Sequence, residues 1–229
     1  PDGKRVAADV QSADKAEIRL IDTASGSESR LAFEAKFPTD AVWHPSGDRI
    51  AFADQAGPAG VFEFALAGQG RPRLLAEASE VLWPRQWSPD GHTLLLDRMW
   101  NPTSGMDVLQ LNIGEPGSLK PYAATGASEC APRFSPDGRW VAYTSDESGH
   151  DEVYVAAFPV PGTPRQVSRS GGGCPRWRHD GLELYYIKGA GQLMKVPVSP
   201  GREGLAFGPP VGLFRTRVFG VFGLAYDVA

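Results

Sequence analysis

Cysteine is nearly absent from this chain: only Cys130 and Cys174 occur in 229 residues. That excludes a small disulfide-stapled scaffold and any C-x-x-C metal or redox pair, so stability must come from a packed core. Histidine is also sparse. His44, His92, His150 and His179 all fall in turn or loop contexts, and none forms an H-E-x-x-H pair. Neither a G-x-S-x-G nucleophile elbow nor a phosphate-binding loop is present, so no fused hydrolase or nucleotide site is encoded. There is no surplus of positive charge. Lys and Arg total 23 against 27 Asp and Glu, the net charge is −4, and the basic residues are scattered. Nucleic acid and anionic membranes therefore have no electrostatic attraction to exploit. No apolar run approaches the roughly 18 residues that span a bilayer. No apolar 3.6-residue pattern lasts for three turns, which leaves helices without a signature.

Turn residues are plentiful, with 27 Gly and 20 Pro. They are also periodic. Pro-Asp-Gly stands at Pro1-Asp2-Gly3, Pro89-Asp90-Gly91 and Pro136-Asp137-Gly138, with variants at Pro45-Ser46-Gly47 and His179-Asp180-Gly181. Successive copies are 44, 44, 47 and 43 residues apart, a period that signals a repeat architecture. An aromatic precedes four of the turns by two positions (Trp43, Trp87, Phe134, Trp177), and a short apolar run such as Trp140-Val141-Ala142-Tyr143 follows each. This is a hairpin turn, with Pro setting φ and Asp-Gly making the bend.

Each period reads as four short strands, a to d, with the turn between a and b. The expected fold is all-β: a propeller of four-stranded antiparallel blades in one domain, 1–229. The blades fall at about 1–33 plus 224–229, 34–79, 80–126, 127–170 and 171–218. Five is the simplest count, and six follows if the chain is truncated. The C-terminal Leu224 to Ala229 reads as a strand a without its turn, and the first copy as a turn without its strand a. Pairing of that strand with Lys4 to Ala8 closes the ring and removes an exposed sheet edge.

The four repeated aromatics read as core, because facing sheets bury that position. One register differs. Val42, Gln86, Arg133, Arg176 and Asp227 stand three residues before the turn, with Asp40, Arg85, Glu129 and Tyr226 nearby. On innermost strands these line the channel mouth, either as ordinary wet-channel polarity or as a binding ring. Arg133 and Arg176 on adjacent blades could clamp a carboxylate, or one could pair with Asp227. Trp83, Trp100 and Met99 read as loop residues of a protein-binding face. Cys130 and Cys174 sit one position apart in register on consecutive blades, either as two buried thiols or as a disulfide between neighbouring loops.

The repeat resembles the WD40-like Pro-Asp-Gly repeat of bacterial TolB-type propellers over essentially the whole chain. The stretch from Ala131 to Val198 carries it most specifically, with "PRFSPDGRWVAYTSDESGHDEVYVAAFP" followed by "GGGCPRWRHDGLELYYIKGAGQLMKVPV". That stretch is similar to the C-terminal propeller of some bacterial membrane-anchored Ser/Thr kinases. The resemblance implies a non-enzymatic, extracytoplasmic module that binds a protein or peptide, works without a cofactor or metal, and is a monomeric part of a larger protein. Two alternatives stay open. One is a propeller glycosidase built on Asp40, Glu129 and Asp227. The other is an accessory sensor or gate domain of a larger kinase or peptidase.

Overall fold

Each turn motif is closed by its own side chains. The aspartate accepts the backbone N–H two residues on: Asp2 from Lys4, Asp90 from His92, Asp137 from Arg139 and Asp180 from Leu182. Where Ser precedes the Pro, its hydroxyl donates to the same carboxylate and accepts the N–H of Thr93 or Trp140. Gly91 sits at φ +74, and a Cβ there would fall 2.3 Å from the His44 ring. Only glycine makes that turn.

The computed structural model describes residues 2–12, 15–33, 35–54, 59–67, 70–115, 117–202, 204–216 and 226–228. Among them no helix occurs, and twenty strands form five sheets. The first sheet orders β1 (Arg5–Ser12), β2 (Lys15–Asp22) and β3 (Glu28–Arg30). The second orders β4 (Pro38–Trp43), β5 (Arg49–Asp54), β6 (Gly60–Ala65) and β7 (Arg73–Glu77). The third orders β8 (Leu82–Trp87), β9 (Thr93–Asn101), β10 (Gly105–Asn112) and β11 (Lys120–Ala123). The fourth orders β12 (Glu129–Phe134), β13 (Trp140–Ser145), β14 (Glu152–Ala157) and β15 (Arg165–Gln166). The fifth orders β16 (Gly173–Trp177), β17 (Glu183–Lys188), β18 (Gln192–Gly201) and β19 (Gly204–Phe207), and β20 (Val211–Arg215) also pairs with β18. The chain divides into two compact units, Pro1–Trp100 with Leu109–Lys120, and Asn101–Val108 with Pro121–Ala229.

The expected closing strand falls largely on residues outside those described. Tyr226, Asp227 and Val228 are described and carry no strand, and the first sheet has three strands among the described residues.

The repeated aromatics join successive sheets. In the first unit Trp87 (2% exposed) packs with Ala51 and Val61 of the second sheet and Leu94, Leu96, Leu109 and Leu111 of the third. In the second unit Trp177 packs with Ala142, Val153 and Val155 of the fourth sheet and Leu184 and Val196 of the fifth. Phe134 is buried as well. Trp43 is half-buried, with the Arg5 guanidinium 5.2 Å over its ring.

The first strand of sheets two to five is bulged. Its register shifts between Thr39 and Val42, Pro84 and Gln86, Cys130 and Arg133, and Gly173 and Arg176. At three of these bulges a non-glycine residue is left-handed: Asp40 (φ 56), Ala131 (φ 56) and Cys174 (φ 55). Such a residue costs roughly 1–2 kcal/mol and turns its N–H out of its own ladder. The preceding sheet supplies acceptors eight residues after its turn. Asp9 accepts from Asp40 and Ala41, and Thr144 Oγ1 accepts from Cys174 at 3.0 Å. The second sheet carries Ala53 in that register, and the next bulge carries Pro84, which has no N–H to satisfy.

Two stability measurements check this account. Trp87→Ala is expected to cost about 3–5 kcal/mol in urea unfolding, from lost burial plus a cavity. Thr144→Val, which keeps the shape and removes the acceptor, is expected to cost about 1–3 kcal/mol, whereas Thr144→Ser retains most of the stability.

Candidate functional site

In the first unit a buried charge cluster supports an exposed aromatic pair. Arg85 is the extra residue of the β8 bulge, and its side chain is fully buried. Its Nε donates to Asp97 Oδ2 at 2.5 Å and its Nη1 to Asp40 Oδ1 at 3.3 Å. The guanidinium lies 4.9 Å from the ring of half-buried Trp83, and Trp83 meets Trp100 edge-on at 6.4 Å. Trp100 is 69% exposed and left-handed at φ 55. Gln86 is half-buried in the same strand, β8.

Burial pushes the Asp40 carboxyl up to about 6; the Arg85 charge opposes this, and Asp9 and Asp97 add to it. Burial also raises Asp9, against the N–H bonds from Asp40 and Ala41. Arg85 is held between two carboxylates beneath an indole. It positions Trp83 and is not presented as an anion receptor.

The second unit holds the other expected site residues. Arg133 and Arg176 are buried, and each Nη1 donates to the carbonyl of the proline before it, Pro132 or Pro175, at 2.8 Å. Arg176 Nε also donates to the Tyr226 carbonyl, and its guanidinium lies 5.4 Å from the Tyr226 ring. Tyr226 Oη donates to the Cys174 carbonyl at 2.8 Å, and burial raises its pKa. Tyr226 lies against Arg176, and Asp227 is exposed with its carboxylate accepting the N–H of Val228. Glu129 is buried; burial raises its pKa, and its carboxylate is bonded to the Thr125 N–H and hydroxyl.

Of the two readings left open for the cysteines, the disulfide is not formed: none joins Cys130 to Cys174. Cys174 is the left-handed residue of its bulge, whereas Cys130 stands in the regular ladder one position before the left-handed Ala131. The loop placement of three residues is corrected. Met99 is buried in β9 rather than exposed in a loop. Trp83 and Trp100 likewise lie in strands β8 and β9, because the ladder of the third sheet runs further than the turn signals suggest.

Sequence reasoning passed over Asp9, Asp97 and Glu152. Asp9, Asp97 and Thr144 all stand eight residues after the first position of a turn motif, and that register could have exposed them. Glu152 is fully buried and takes the Ser168 hydroxyl, the Gly171 N–H and His150 Nε2. Among the described residues no group of three His, Cys, Asp or Glu side chains is arranged to hold a metal ion.

No family model matches the chain. Solved structures do. A protein assigned as TolB from Agrobacterium tumefaciens superposes with a TM-score of 0.76 at 19% identity, over 100% of this chain and 82% of that one. The fold is a TolB-like β-propeller. TolB from Acinetobacter baumannii matches at TM-score 0.71 and 16% identity, over 94% of this chain and 53% of that one. A prolyl endopeptidase matches at TM-score 0.62 and 19% identity, over 94% of this chain and 36% of that one. At these identities the likeness carries the fold alone. Among the described residues no helix is long and apolar enough to cross a membrane.

The raised Asp40 pKa predicts a pH dependence. An unfolded Asp titrates near 4, the folded one near 6. Between those values the folded state holds the extra proton, so this group's contribution to stability is present below about pH 4 and is lost as pH rises through about 6. In urea unfolding at about pH 5 and about pH 7.5, wild type should lose roughly 1–1.5 kcal/mol more than Asp40→Asn over that interval.

Proposed function

We propose that this propeller is a non-catalytic module that binds a protein or peptide, with Trp100 and Trp83 as its anchoring shelf. The supporting observation is the exposure of Trp100 beside a Trp83 seated on a buried, doubly ion-paired Arg85. A large aromatic left in solvent on a rigid support is the usual anatomy of an interface hot spot. Rigid support also means that little ordering entropy is lost on binding. Asp9, Asp40 and Asp97 outnumber the one guanidinium among them, which favours a ligand segment that brings a cationic or donor group to the rim. The reading needs no cofactor or metal. It places the module outside the cytoplasm of a bacterium, as the resemblance to TolB-type propellers implies.

A second reading is favoured by the endopeptidase match, in which an equivalent of this chain makes up 36% of a longer enzyme. There the same shelf is a contact between this domain and the rest of its own protein. The glycosidase reading has less support: Asp40, Glu129 and Asp227 are each engaged locally, by Arg85, Thr125 and the Val228 N–H.

Peptides selected by display against the immobilised chain test the proposal. For a selected peptide, calorimetry should show Trp100→Ala weakening binding by about 2 kcal/mol, roughly thirty-fold, with the unfolding midpoint unchanged. Equal affinity of the variant for every selected peptide would reject the shelf. Oligosaccharide cleavage that disappears in Asp40→Asn would replace the binding reading with the glycosidase.

A further inference from the structure

In the second unit, a groove of about 600 Å³ runs between β15 of the fourth sheet and the fifth sheet, walled by residues 207–210. Its floor is apolar, with Tyr186, Met194 and Phe207 among the lining residues. Its charged lining is all of one sign: Arg165, Arg169 and Lys188, with no Asp or Glu. The volume lies within the roughly 300–1,000 Å³ typical of ligand sites.

These cations differ from three others of the same unit, which are ion-paired. Arg178 pairs with Asp180 and Glu183, Lys195 with Glu183, and Arg139 with Asp137. Among the described residues no carboxylate lies within ion-pairing distance of Arg165, Arg169 or Lys188. Arg165 is fixed instead by donating to the Leu205 carbonyl, with its guanidinium 5.2 Å from the Phe207 ring. Three like charges around one cavity raise each other's free energy until a counter-charge arrives. The surplus is local, in a chain whose net charge is −4.

The groove's edge adds a second recognition element. β15 has two residues and is the last strand of its sheet, with no further partner among the described residues. An extended peptide can satisfy such an edge with its main chain while its side chains reach the groove. A small free anion uses the cations but leaves the apolar floor and the edge untouched.

We propose that this groove is a second binding site, independent of the Trp83–Trp100 shelf, for an acidic peptide segment in extended conformation. Carboxylates meet Arg169 and Lys188 at the rim, and an apolar side chain rests on Phe207 and Met194.

The probe is a fluorescein-labelled decapeptide of alternating Glu and Val, compared with its Lys–Val counterpart by fluorescence anisotropy. The acidic peptide should bind and weaken as sodium chloride is raised, and the basic one should not bind. Arg169→Glu with Lys188→Glu should weaken binding at least about tenfold, and Arg169→Ala or Lys188→Ala alone about three- to fivefold. The single variants decide the matter if the double variant fails to fold. Trp100→Ala should bind the acidic peptide as wild type does, so failure of the shelf and failure of the groove are separable. Equal binding of both peptides overturns the proposal, as does unchanged affinity in both single variants. Binding of inorganic phosphate without binding of the Glu–Val peptide also overturns it.

Discussion

A strand that begins a blade cannot stay regular if it is to bend and re-aim its side chains, and here it bends through a left-handed residue. The bend at Asp40 and at Cys174 removes an N–H from the ladder, and at Cys174 that N–H is buried and needs an acceptor. The acceptor comes from the preceding blade, Asp9 in one case and Thr144 in the other. Hydrophobic packing between blades is non-directional and would tolerate sliding. This bond does not, so it sets the height at which one sheet meets the next. Trp177 then fills a space whose dimensions are already set, whereas Trp87 packs at a seam where Ala53 and Pro84 supply no such bond.

The charge cluster depends on the same distortion. Arg85 is the inserted residue at the β8 bulge, and the insertion sends its side chain inward toward Asp97 of its own sheet and Asp40 of the preceding one. Asp40 is in turn the left-handed residue of its own strand, with its N–H on Asp9. The two bulges thus place a guanidinium under Trp83 and, beside it, a carboxyl whose pKa burial raises against that charge. The aromatic shelf stands on buried ions rather than on aliphatic side chains. Its orientation is therefore directional, and it is sensitive to protonation in a way that a shelf on leucines is not.

Turns, strand order and repeated core aromatics were legible in the residues because each is written locally: Pro and Gly for φ, alternation for pleat, one aromatic per period. What was not legible depends on where the chain irregularity falls. Arg133 and Arg176 occupy the position expected of a channel-mouth ring, yet bulge geometry folds each onto the carbonyl of its own preceding proline. The cysteines are neighbours in register by count, but Cys174 falls on the left-handed bulge residue and Cys130 on the regular ladder before it. Met99 read as loop because turn residues follow it, and the extended β9 ladder overrode that pattern. Asp9 and Asp97 were missed because their role appears only when the same position is compared from one period to the next. Trp83 and Trp100 were read as loop residues together with Met99, and their contact with each other appears only in the folded sheet.

The pairing of Ala53 with Pro84 has a meaning of its own. Donor and acceptor of the bulge bonds at Asp40 and Cys174 lie on consecutive repeats, and at Ala53 and Pro84 both are missing together. A blade copied or moved as a unit would carry half of two such bonds and match neither neighbour. The chemistry of a seam therefore belongs to a pair of blades, and a blade set beside a different neighbour would need its half of the seam rewritten.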